Sequence, residues 1–312
     1  MMPDSSSIFD PASPQAQAIL NLFYILLGIS LIIFLIVVGA IFYSIIRSRR
    51  AGLSGEPAQV YGNTKLELTW TLIPLLIIFA IFGLSVRTMY AIDAPHDDAS
   101  PDLIITGHQW WWEVQYPASG VVTANEIHVP AGQRLRVQLE SDDVIHDFWV
   151  PALGRKMDAI PGHPNHFWLE AAEPGTYLGA CAEYCGLQHA WMRLRVIAQT
   201  EADFAAWQQQ QLATPPIPTD GEAAQGYQQF HDLTCINCHA IAGTDANADV
   251  GPDLTHLGSR ETIGAGVLAN TTENLTTWLK DPQAVKPGNH MPQFSLTDNQ
   301  LQALVTYLEG LK

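Results

Sequence analysis

The chain has 312 residues and a formal net charge of −16, from 15 Lys and Arg against 31 Asp and Glu. Such an acidic balance argues against nucleic acid, whose binders gather positive charge on one face. The length allows two ordinary domains, and 47% of residues are hydrophobic, with that apolar weight lying mostly near the N-terminus.

Residues 1–18 hold no Lys or Arg and read as a short outer segment. ILNLFYILLGISLIIFLIVVGAIFYSII (19–46) and LTWTLIPLLIIFAIFGLSV (68–86) carry no charged side chain. Each reaches the ~20 apolar residues that cross a bilayer as a helix, which predicts two membrane spans over 19–91; a buried core helix is the rival reading. The first run is too long for a signal peptide and lacks a positive leader. Arg47, Arg49, Arg50 and Lys65 sit between the spans, so the loop is expected in the cytoplasm with both termini outside. Pro74 in the second span is tolerable in a membrane helix.

From 92 to 200 the pattern turns to period two. RLRVQL (134–139) and MRLRVI (192–197) alternate polar with apolar residues, and PAGQ (130–133) and EPGT (173–176) supply turns. Short strands at this spacing predict an antiparallel β-sandwich or barrel. Residues 201–213 look helical and TPPIPTDG (214–221) reads as a linker. Helical periodicity returns over 222–312, in ENLTTWLKD and TDNQLQALVTYLEGL, and marks a separate, mostly helical domain.

The four cysteines fall into two close pairs, spacings that suit ligands or cofactor attachment better than a disulfide framework. In CAEYCGLQHAWM (181–192), Cys185, His189 and Met192 lie just before a predicted strand, and His146 in VIHDFWVP follows an earlier one. Two imidazoles, a thiolate and a weak thioether form the blue-copper ligand set. Cys181 adds a second thiolate, which can bridge two copper ions and spread one electron over both. A tetrahedral zinc site and a Cys181–Cys185 disulfide are the rival readings.

Cys-x-Glu-x-Cys-x3-His-x2-Met with the upstream His-x4-Pro resembles the CuA motif of subunit 2 of cytochrome c oxidase. The resemblance covers roughly residues 15–200 and implies a cupredoxin-like β domain behind a two-helix membrane hairpin. It also implies a ligand set: Cys181 and Cys185 bridge two coppers, His146 and Met192 complete one, and His189 with the Glu183 carbonyl completes the other. The Glu183 carboxylate is then implied as a magnesium ligand at the boundary with subunit 1. GHQWWWEVQY (107–116) is similar to the family's aromatic stretch and puts its electron-accepting tryptophan at Trp110, while Trp111 and Trp112 can serve as packing or interface rings. ELTWTLIP (67–74) is similar to the start of the family's second span. It places Glu67 where family members carry an acid near a proton path, although a plain interfacial glutamate fits as well.

CINCH (235–239) is the attachment signature of c-type haem, with Cys235 and Cys238 bonded to the vinyl groups and His239 as an axial ligand. VKPGNHMPQF, GPDL (251–254) and the closing helix resemble class I cytochromes c. That implies Met291 as the opposite ligand, with His290 as its rival.

The order of parts resembles caa3-type oxidases, whose second subunit carries a fused cytochrome c. The resemblance implies electron flow from an external donor through haem c and CuA to haem in subunit 1, where oxygen is reduced with proton translocation. Subunits 1 and 3 are the expected partners, and the bacterial cytoplasmic membrane is the expected location. A CuA-bearing nitric oxide reductase subunit and a membrane-tethered electron-carrier or copper-delivery protein are the rivals. Residues 92–220 hold 6 Lys and Arg against 17 Asp and Glu, and 221–312 hold 4 against 10. An acidic surface of this kind could steer a cationic donor.

Overall fold

The computed structural model describes residues 7–50, 59, 61–93 and 99–312. The start of the expected outer segment and most of the loop between the spans lie outside the described residues. The chain divides into two compact units, residues 17–93 and residues 1–16 with 94–312.

The first unit is a pair of long helices, α1 (Pro14–Arg50) and α2 (Thr64–Ile92). Both outrun the uncharged stretches that announce them, because nothing in the flanking sequence stops a helix before Arg50 or after Asn63. Both are long and apolar enough to cross a membrane. Leu76, Phe79 and Phe82 remain exposed, a surface suited to hydrocarbon. Asn63 caps α2 by accepting from the Leu66 amide, and Glu67 reaches back to accept from the Asn63 amide. Glu67 therefore closes a reciprocal cap at the helix start.

In the second unit the strands are β1 (Leu103–His108), β2 (Trp111–Tyr116), β3 (Val121–Ala124), β4 (Glu126–Pro130), β5 (Leu135–Ser141), β6 (His146–Trp149), β7 (Met157–Ala159), β8 (Asn165–Leu169), β9 (Gly175–Cys181) and β10 (Arg193–Gln199). They form two five-stranded sheets, ordered β3-β2-β1-β5-β8 and β4-β10-β9-β6-β7. Alternating apolar residues from both sheets, with Trp112, Phe148, Ile105 and Val196 fully buried, form one core. The sandwich is mixed rather than purely antiparallel, since β1 pairs parallel with β5 and β4 parallel with β10. Alternation reveals that a segment is a strand but not which neighbour it takes or in which direction. Helix α3 (Glu201–Gln211) caps the sandwich with Trp207, which stacks on His128 at 4.1 Å.

The remaining elements are α4 (Gly221–Asp232), the hairpin β11 (Thr262–Ile263) and β12 (Leu268–Ala269), α5 (Thr272–Lys280), α6 (Pro282–Val285) and α7 (Asp298–Glu309). Helices α4 and α7 cross so closely that a Cβ at Gly226 would stand 2.0 Å from the Ala303 carbonyl oxygen. Only glycine permits that approach. Phe230 and Tyr307 meet edge to face beside it, and α7 starts in a capping box between Thr297 and Gln300.

Candidate metal centre

Four side-chain donors of the centre come from one loop. Cys181 ends β9, Cys185 and His189 follow, and Met192 stands immediately before β10. His146 opens β6, which pairs with β9 so that Phe148 faces Cys181. A Cβ at Gly107 would lie 2.8 Å from His146 Cδ2, so the glycine of GHQW leaves room for the ring. His146 and Met192 are fully buried and both thiols nearly so, while His189 is half-buried at the rim.

The two sulfurs lie 3.8 Å apart, about twice the bond length of a disulfide. Cys181 Sγ is 4.0 Å from His146 Nδ1 and 3.2 Å from the Glu183 carbonyl oxygen. Cys185 Sγ is 3.8 Å from His189 Nδ1 and 3.9 Å from Met192 Sδ. Each thiol thus has one imidazole beside it and one weaker donor. Six donors exceed what a single tetrahedral zinc ion takes and suit two soft ions that share both sulfurs. The thioether belongs to copper chemistry rather than zinc chemistry.

Electrostatics favours the ligand forms. The hydrogen bond from Cys185 draws the Cys181 thiol well below its ordinary value, and that same bond, with burial, pushes Cys185 up. Both thiols must be deprotonated to act as ligands, so metal binding is accompanied by proton release. Burial opposes the protonated form of His146, but hydrogen bonds to Asp143 and Cys181 outweigh it and raise the pKa. His146 Nε2 donates to Asp143 Oδ1 at 2.8 Å, which turns Nδ1 towards the sulfurs. The Glu183 side chain is exposed and accepts from the Tyr184 amide.

Trp110 abuts this centre. Its indole Nε1 donates to the Cys185 carbonyl at 2.9 Å, and Gln109 Nε2 donates to the same oxygen at 2.7 Å. Trp111 stacks on His108 at 4.3 Å, and Trp112 sets its edge against His146. Those two rings pack the domain; Trp110 joins two sites.

On its other side Trp110 walls a cavity of about 410 Å³ that Cys235, Cys238, His239, His290 and Met291 also line. His239 Nδ1 donates to the Pro252 carbonyl at 2.8 Å, so Nε2 is the nitrogen left for a metal. A Cβ at Gly251 would lie 2.6 Å from His239 Cε1. Arg260 also lines the cavity, and its Nε is buried without a hydrogen-bond partner. A buried guanidinium of that kind suits a haem propionate. The His290 ring rests on Trp110 at 4.8 Å. Met291 is fixed through its backbone, by Asn289 Oδ1 and Gln283 Nε2. Two thiols, two imidazoles, a thioether and a guanidinium that bonds the Asp253 carbonyl through Nη2 but keeps its Nε free, set around one apolar cavity, fit a covalent haem.

Gln109, Arg260 and Lys286 escape sequence reading, because each reaches its site across the fold, and Asp143, three residues before His146, reads as one more acid in a polar loop. The only local hint was that Gln109 stands inside GHQW.

Comparison with known proteins agrees with this arrangement. Residues 3–87 match the transmembrane domain of cytochrome c oxidase subunit II, 118–199 its periplasmic domain, and 223–312 cytochrome c. Cytochrome c oxidase subunit 2 of Alkalihalophilus pseudofirmus is 41% identical over 99% of this chain and 92% of its own length. The chain belongs to the cytochrome c oxidase subunit 2 family. The family member of Bacillus subtilis is 35% identical over 87% of this chain and 82% of its own length. The periplasmic domain of subunit II of the Bradyrhizobium japonicum cytochrome oxidase is 35% identical, covering 36% of this chain and 94% of that one, with a TM-score of 0.35. In this family the β domain implies CuA and the C-terminal domain implies haem c.

Proposed function

We propose that this chain is the electron-input subunit of a haem-copper terminal oxidase. Electrons from an external donor arrive at covalent haem c, pass to a dinuclear CuA centre, and continue to haem in subunit 1, where oxygen is reduced to water with proton translocation. One observation carries this reading: Trp110 lines the cavity of the CINCH motif and bonds to the carbonyl of Cys185.

Bound haem and copper supply reversible one-electron carriage. The chain supplies the rest. Cys235, Cys238 and His239 would hold the haem, Met291 would supply a thioether ligand, and Arg260 would offer a cation to a propionate. Cys181 and Cys185 would supply the shared thiolates for the coppers, with His146 and Met192 as donors for one ion and His189 with the Glu183 carbonyl for the other. Burial excludes water, which limits solvent reorganisation as charge moves. The exposed Glu183 carboxylate is available to a magnesium ion at the boundary with subunit 1. Subunits 1 and 3 are the partners in this reading, the two apolar helices anchor the chain in a membrane, and the bacterial cytoplasmic membrane, with both termini on the periplasmic side, is the location that the loop basic residues support. The acidic haem domain favours a cationic donor, so its reduction by such a donor should slow as salt rises.

Metal and haem analysis with electron paramagnetic resonance on the full chain tests the proposal. Two coppers, one covalent haem and one unpaired electron shared by both coppers are expected. Zinc or a single copper at Cys181 and Cys185 would overturn it.

A further inference from the structure

The haem domain meets the β domain at more than one contact, and one is built around a buried charge. Glu126, the first residue of β4, is 2% exposed although it carries a carboxylate. A buried carboxylate is costly unless its oxygens are hydrogen-bonded. Every partner of Glu126 comes from the haem domain. Oε1 accepts from the Thr262 amide and the Thr262 hydroxyl, both at 2.8 Å, and Oε2 accepts from the Glu261 amide at 3.1 Å. Arg195 stands opposite Glu126 in the parallel β4–β10 pair and bonds Glu261 Oε2 at 2.6 Å. Two adjacent strands of the copper domain therefore grip two consecutive residues of the haem domain, one by main chain and one by side chain.

The grip bears directly on the cavity. Thr262 begins β11, and the hairpin that follows carries Ala265 into a small apolar cluster with Trp111 and Ala124. Arg193 N donates to the Ala265 carbonyl at 3.2 Å. Thr262 and Ile263 line the same cavity as Trp110. A shift of this hairpin would move the cavity wall away from Trp110.

We propose that Glu126 is a positioning residue, a buried carboxylate that seats the haem domain by the Glu261–Thr262 main chain and keeps the haem cavity closed against Trp110. The proposal rests on the electron-input reading above. Carboxylate-to-amide bonds are charge-assisted and stronger than neutral ones. Removing the carboxylate leaves three donors unmatched, whereas glutamine keeps one acceptor oxygen and turns its amide donors towards the Glu261 amide.

The test uses the full chain assembled in its oxidase, with Glu126→Ala and Glu126→Gln. Hydrogen exchange at the Glu261 and Thr262 amides reads the seating whether or not haem and copper are bound. Protection should fall by about tenfold or more in Glu126→Ala and by less in Glu126→Gln. Flash reduction of the haem should show transfer to copper slowed by at least about tenfold in Glu126→Ala, about 1.4 kcal/mol of barrier. That rate should also become dependent on solvent viscosity, while the copper spectrum stays unchanged. Unaltered amide protection would overturn the proposal. So would lost protection with an unaltered, viscosity-independent rate. If Glu126→Ala fails to assemble, Thr262→Val removes one donor from the same carboxylate, and the same two readouts decide. Wild-type protein lacking haem or copper would sink the electron-input reading, yet leave the amide measurement standing.

Discussion

Trp110, in the β1–β2 turn, and Cys185, in the loop after β9, are 75 residues apart, and the indole N–H of one donates to the main-chain carbonyl of the other at 2.9 Å. The opposite side of the tryptophan faces the haem cavity. Trp110→Phe keeps a ring against His290 but deletes the donor. Gln109 still serves the carbonyl, so stability should fall by only about 1 kcal/mol. Transfer from haem to copper, followed after flash reduction, should slow by about tenfold. An unchanged rate would place the route elsewhere.

The two thiols and the thioether should respond differently to substitution. Cys185→Ser removes a bridging sulfur, so bound copper should drop from two ions to one and the shared-electron resonance should vanish. Met192→Leu keeps volume in a fully buried position and should cost under about 1.5 kcal/mol. It should retain both coppers and change only the reduction potential. Equal copper loss in the two variants would contradict the assigned roles.

Gly251 leaves space that His239 occupies, since a Cβ would stand 2.6 Å from the ring. Gly251→Ala must push the imidazole off its bond to the Pro252 carbonyl. Covalent haem per chain, read from the reduced absorption bands, should fall severalfold, while copper content stays at the wild-type level. Full haem loading would show that the ring has more latitude than the structure gives it.

Lys286 supplies a pH signature. Its ammonium is 3% exposed, with carbonyls of Gly264 at 3.2 Å and Trp110 at 3.4 Å. Burial is the largest cause and lowers it to about 8 from 10.5, with the Arg193 charge acting in the same direction. Between those values the unfolded chain binds more protons than the folded one, so stability should rise with pH across that window. The full effect is on the order of 3 kcal/mol. Thermal midpoints of wild type and Lys286→Met, compared from pH 7 to 10, should show a difference that changes steeply above pH 8. A constant difference would mean that the amine titrates normally.

How much was legible in the sequence depended on distance along the chain. Cys181, Cys185, His189 and Met192 share one loop, so their spacing alone announced a candidate metal centre. CINCH was equally local. His146 could be named because it followed a recognisable strand. By contrast, Glu126 looked like an ordinary strand-end acid, and nothing near it foretold that Glu261 and Thr262 would fold over it. Lys286 was read only as part of a Lys-Pro-Gly segment, with no sign that its amine would be buried beside Trp110. The parallel pairing of β1 with β5 was hidden for the same reason: period-two alternation records which face is buried, not which strand lies alongside. Glu67 gained a local role, since its carboxylate closes the cap of α2.

Nine residues separate α3 from α4, and three of them, Pro215, Pro216 and Pro218, stiffen the stretch. A leash that short keeps a released haem module at about millimolar local concentration. In the proposed relay, dilution of the surroundings would therefore not starve the copper centre of its immediate donor. Each detachment ends in recapture by the same molecule, and competition with other redox proteins is confined to the outward-facing step.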